Sequence, residues 1–176
     1  MRRESTQGSQ LARVQRLGIS LALVAVACSP KPGTAQIDLC TEAERFLRDA
    51  MGMQALSEPD TIDDWRTQAM VPGCRITAAG GTTRASVDVA RDFFEVLPDS
   101  GWSRTPDPRD APNEASLRYR RLGADCLFSF YDRTSSLNTE AEFAVTDAVD
   151  LQPGEHFFNF LVMCTPAAPA APRGGD

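Results

Sequence analysis

The chain has 176 residues, 42% hydrophobic and 24% charged, with a formal net charge of −6, values that suit one globular domain and exclude wholesale disorder. Charge is unevenly spread: Arg2, Arg3, Arg13 and Arg16 against Glu4 give residues 1–27 a charge of +3 and leave −9 on the remainder. An acidic body lacks the basic surface that phosphate neutralisation requires, so nucleic acid is excluded as a partner.

Residues 1–16 are polar and basic, and Leu17 to Ala27 is a weakly polar to apolar run. Eleven residues make about 16 Å of helix against roughly 30 Å of hydrocarbon, too short for a stable span. A basic start, a short apolar run and small residues at its end describe a secretory signal. Ala25-Val26-Ala27-Cys28 resembles the lipobox of bacterial lipoproteins, although Ala25 stands where that family usually has Leu. The resemblance covers only the leader. It implies cleavage before Cys28, lipid on the Cys28 sulfur, and anchorage in the cell envelope, at the outer membrane if the host has one, because Ser29 rather than Asp follows. The alternative is ordinary cleavage after Ala27 or Ala35, giving a soluble exported protein. Residues 28–37, with Pro30-Lys-Pro-Gly33, read as a tether that holds a domain off the membrane.

Five cysteines are present. Reserving Cys28 for lipid leaves Cys40, Cys74, Cys126 and Cys164, an even number suited to disulfides in an oxidising compartment. In the body, Thr41-Glu-Ala-Glu44 reads as a capping box, and Ala43, Phe46, Leu47, Ala50 and Met51 follow as one helical stripe ended by Gly52. Residues 54–73 are mixed, with a short helix expected near 61–68 and a brief strand over 74–78. A second helix is expected over 84–97, burying Val89, Ala90, Phe93, Phe94 and Leu97.

Beyond it the period falls to two. Residues 117–121 and 126–131 read as a hairpin about Gly123, and 142–147 and 157–164 as two more strands. Helices first and strands afterwards predict a single α+β domain over 38–165. Its two or more N-terminal helices should pack on one face of a mainly antiparallel sheet of about four to five strands, and the Pro/Ala/Gly tail 166–176 should be disordered. Strand parity puts Cys126 with Phe128 and Phe130, and Cys164 with Phe158 and Phe160. Cys126–Cys164 is the favoured pair and Cys40–Cys74 the remaining one. A strand at 142–147 lying between them would hold them nearly 10 Å apart, so the pairing requires their strands to be neighbours.

Chemistry-bearing patterns are sparse. His156 is the sole histidine and reads as a strand-edge residue. Gly80-Gly-Thr-Thr83 offers backbone amides for an anion, or a plain loop entering the second helix. Asp60, Asp63 and Asp64, and separately Asp107, Asp110 and Glu114, match no calcium loop and read as solvated acids. No motif implies a metal or cofactor. The proline-rich stretch 105–114, with Arg109, and the adjacent Arg118 and Arg120 form a candidate interaction edge. The expected role is a membrane-anchored binding or assembly module for an envelope protein partner. The alternatives are an envelope hydrolase, soluble or anchored, using dispersed carboxylates and His156, and a receptor for an apolar ligand between Phe128 and Phe160.

Overall fold

A computed structural model describes residues 38–105, 116–132 and 136–168. Cys28, the tether as far as Ile37, Arg109, the acids Asp107, Asp110 and Glu114, and the tail from 169 lie outside the described residues. The fold is α+β, built on an antiparallel sheet. Helix α1 (Thr41–Arg45) runs into a π turn over Phe46–Ala50 and stops at Gly52, whose φ of +64° suits glycine. Strands β1 (Gln54–Asp64) and β2 (Ala69–Thr82) form a long hairpin, followed by α2 (Ser86–Asp99). Then come β3 (Ser103–Arg104), β4 (Ser116–Arg121), β5 (Ala124–Tyr131), α3 (Glu140–Asp147) and β6 (His156–Pro166).

The sheet order is β1-β2-β6-β5-β4-β3, so the last strand is central. Among the described residues the sheet has six strands rather than four or five. The expected helix near 61–68 is instead the end of β1 and the hairpin tip, and the brief strand at 74–78 is the middle of β2. Residues 142–147 are helical, not extended. Thr139 takes an extended N-cap conformation and its hydroxyl accepts the Glu142 amide, while Glu142 Oε2 accepts the Leu137 and Asn138 amides. With no strand inserted there, β5 and β6 are neighbours and Cys126 lies directly opposite Cys164. The structure joins Cys126 to Cys164 and Cys40 to Cys74.

One sheet face carries the apolar core. Phe93 of α2 is fully buried, with its ring centroid 3.8 Å from that of Phe160 and 5.4–5.6 Å from those of Phe46, Phe94 and Phe128. Burying each such ring stabilises the fold by about 1.5–3 kcal/mol. Both N-terminal helices face this side through Ala43, Phe46, Leu47, Val89 and Leu97. The anticipated cap on α1 does not form: Cys40 is the N-cap residue, and Glu44 instead accepts from the Ser57 hydroxyl and pairs with Arg48.

The opposite face holds Asn159, Thr165, Asp125, Tyr131 and Thr77, by strand parity. Helix α3 lies on this side, where its Glu142 carboxylate bears on the Tyr131 phenol. The β1–β2 hairpin reaches past the end of its pairing with β6, and its tip brings Asp64 and Arg66 to β5. At Gly73, one residue beyond that pairing, a Cβ would sit 2.3 Å from the Cys164 carbonyl oxygen. Gly73→Ala should therefore destabilise the protein by about 1–3 kcal/mol, measured as a lower urea midpoint with unchanged slope.

Candidate functional site

Two buried polar assemblies occupy the second sheet face. The first joins the hairpin tip, β4, β5 and the residues after β6. Arg66 grips Asp64 through Nε and Nη2, each at 2.9 Å, and reaches Asp125 through Nη1 at 3.0 Å. Arg120 forks onto the same Asp125 at 2.6 and 2.9 Å, and also donates to the Ala168 carbonyl at 2.8 Å. The Ala168 amide donates to Asp125 at 3.0 Å, and the Ala167 amide to the Gly123 carbonyl at 2.8 Å. Residues 166–168, placed in the tail by sequence, thus belong to the fold: Pro166 ends β6 and the next two residues are pinned.

Burial alone would raise the Asp125 carboxyl. The Arg120 hydrogen bonds, the Ala168 amide and Arg66 outweigh it and hold the group below its ordinary value of 3.8. Asp64 is likewise held low against burial by Arg66, with the Arg118 charge assisting. Groups with a depressed folded value contribute stability that is present above the unfolded value and is lost as pH falls through the folded one. Removing one member of a buried pair costs about 3–5 kcal/mol. Asp125→Asn should lose that much at pH 7, and its stability should fall less steeply than wild type below about pH 4 in chemical-denaturation series.

The second assembly lies toward α3. Asn159 and Tyr131 are directly opposite on β6 and β5, and Thr77 is diagonal to Asn159 on β2. Thr77, Glu142 and Asn159 are fully buried. Among the described residues Thr77 Oγ1, Tyr131 OH, Glu142 Oε1 and both amide atoms of Asn159 lack a hydrogen-bond partner. Burial first, and then the Glu142 charge, push the Tyr131 phenol well above its usual range.

The residues singled out by sequence fare unequally. Arg118 is only 3% exposed, and Arg120 is committed to Asp125, so the two do not make an exposed interaction edge. Their strand also has β3 beside it. His156 is exposed at the start of β6 and, among the described residues, meets no carboxylate. Gly80 and Gly81 lie inside β2, not in a loop entering α2: a Cβ at Gly80 would strike the Phe158 ring, and one at Gly81 would lie 2.7 Å from the Glu155 carboxylate, the wrong charge beside an anion. Asp60 pairs with Arg75 and Asp64 with Arg66, while Asp63 points to the other face of β1, so the three acids do not converge. Phe128 and Phe160 are fully buried and packed within the ring cluster around Phe93.

Sequence reading missed Leu122. At the β4–β5 turn Leu122 and Gly123 both have positive φ, 45° and 84°. Such a turn favours Asn-Gly or Gly-Gly, and a bulky residue in the left-handed region is strained. Leu122 is also 82% exposed, beside a groove of about 460 Å³ lined by Gly101, Ser103, Arg120 and Arg121. The signal was available as Arg-Leu-Gly where a hairpin turn calls for Asn-Gly.

Compared with protein-family models, curated proteins and solved structures, the chain matches none. The functional reading therefore rests on its own residues.

Proposed function

We propose that this chain is an exported lipoprotein, anchored in the cell envelope through Cys28, whose disulfide-bonded domain binds an envelope protein partner without catalysing a reaction. The observation that carries this reading is the use of cysteine. Four of the five are consumed in two internal disulfides, and the fifth by count is Cys28, at the end of the apolar leader. The disulfides accord with an exported protein. Among the described residues no helix is long and apolar enough to cross a membrane, so anchorage would fall to the lipid. The hydrolase alternative gains nothing from the described residues, where His156 stands apart from the buried carboxylates. Cys28→Ala should leave unprocessed precursor and abolish acyl labelling, read by mass spectrometry of the mature N-terminus. Normal maturation would refute the anchor.

For the partner, the Leu122 tip replaces the arginine edge as the contact surface. An exposed apolar side chain kept in a strained conformation is a stability cost, which a binding role accounts for. Leu122→Asn should raise unfolding stability by about 0.5–1 kcal/mol, since Asn accepts the left-handed region more readily. The same substitution should abolish recovery of the partner in affinity purification from native membranes. A gain in stability with undiminished recovery would remove Leu122 from the interface.

A further inference from the structure

The two disulfides are not separate staples. Cys74, Cys164 and Cys126 occupy one row across β2, β6 and β5, because Cys164 is directly opposite Cys74 on one side and Cys126 on the other. Parity puts all three side chains on the core face, and all are fully buried. The Sγ atoms of Cys40, Cys74 and Cys164 lie within 4.8 Å of one another, so the Cys40–Cys74 bond abuts the Cys126–Cys164 bond.

The register makes a third pairing geometrically accessible. Cys126 and Cys164 have Cα atoms 4.1 Å apart, the short spacing of a non-hydrogen-bonded antiparallel pair. The Cys164 backbone groups then face β2, where the Cys74 pair takes the hydrogen-bonded spacing of about 5.5 Å. That separation lies inside the range a disulfide spans. Strand order puts Cys164 between Cys74 and Cys126, with the Cys74 Sγ within 4.8 Å of the Cys164 Sγ, so the central sulfur of the exchange has a nucleophile on one side and its leaving group on the other.

We infer that the four cysteines form a single exchange unit, in which a thiol generated at Cys74 attacks Cys164 and moves the second disulfide across the sheet. The unit opens when a dithiol reductant delivers two electrons to the Cys40–Cys74 bond, leaving both as thiols and becoming a disulfide itself. The Cys74 thiolate then attacks the Cys164 Sγ. The Cys74–Cys164 bond forms, the Cys126–Cys164 bond breaks, and Cys126 departs as a thiolate that takes up a proton. This second step is redox-neutral. The reduction frees Cys40, and with it α1, from covalent attachment to the sheet, and the exchange then joins β2 to β6 at the centre and leaves Cys40 without its former partner. Apolar burial disfavours the thiolate and makes the exchange slow, so the bond stays put until the first cystine is opened. The inference does not depend on lipidation of Cys28.

The test is partial reduction of the wild-type full chain with substoichiometric dithiothreitol at pH 8.5, quenched by alkylation and mapped by peptide mass spectrometry, where the Cys28 peptide is separately resolved. Among chains with one disulfide left, more than about a tenth should carry Cys74–Cys164 with Cys40 and Cys126 alkylated, a ratio that corresponds to pairings within about 1.4 kcal/mol. One-disulfide chains containing only the two native pairs would overturn the exchange. The variant Cys40→Ser/Cys126→Ser isolates the third pairing and should oxidise to Cys74–Cys164 in the glutathione buffer that oxidises wild type. A variant that keeps native far-UV circular dichroism yet remains a dithiol would also overturn it.

Discussion

Strand β6 is the last of the described elements and fills the middle of the sheet, with β2 on one side and β5 on the other. The β1–β2 hairpin and the β3–β4–β5 group make no continuous sheet without it. Its core-facing side supplies Phe158, Phe160, Val162 and Cys164, which meet α1 and α2, and its other side supplies Asn159 and Thr165. Both halves of the molecule therefore depend on pairings of long sequence separation, the kind that form late because loop closure precedes any gain from contact. The disulfides reinforce this centre, since Cys164 is on β6 itself and Cys74 is its neighbour in the next strand.

The two faces of the sheet are held by different physics. On the core side, aromatic rings around Phe93 exclude water, and the stabilisation is distributed over many contacts. On the other side, Asp125 gathers the hairpin tip, β4 and the residues after β6 through Arg66, Arg120 and the Ala168 amide. That network is directional and sensitive to a single substitution, because each partner is oriented by the others. The tip arrives there because the hairpin extends beyond the pairing of β2 with β6. Toward α3 the buried polar groups of Thr77, Tyr131, Glu142 and Asn159 form a second cluster on the same face, which among the described residues is not tied together by charged pairs.

Much of the architecture was legible from pattern. The α+β class, the second helix, the hairpin about Gly123 and the last strand follow from periodicity, while parity favours Cys126–Cys164 only on condition that their strands be neighbours and leaves Cys40–Cys74 as the remaining pair. The tetrapeptide Thr-Glu-Ala-Glu occurs twice, at 41–44 and 139–142, and shows where such reading ends. The first copy looks like a cap and is not one, because Cys40, drawn to β2 by its disulfide, is already in a helical conformation and takes the cap position. The second copy is a working cap but was hidden by the apparent alternation of Glu142 to Asp147. Local sequence is identical in the two places, and tertiary attachment decides between them. By strand parity Arg118 and Arg120 lie on the face away from Tyr119, yet the burial of Arg118 and the partners of Asp125 depend on a hairpin tip about 50 residues earlier, which no local pattern records.

The attachment of α1 has a mechanical side. The residues before Cys40 enter the domain next to a covalent bond to β2, the strand beside the central one. Tension transmitted along that segment is borne by the sulfur–sulfur bond and passed into the sheet interior. It is not taken up by the packing of a short helix, which would peel away turn by turn. Were the domain held by its N-terminus, as proposed, load would enter the sheet at β2, next to its central strand.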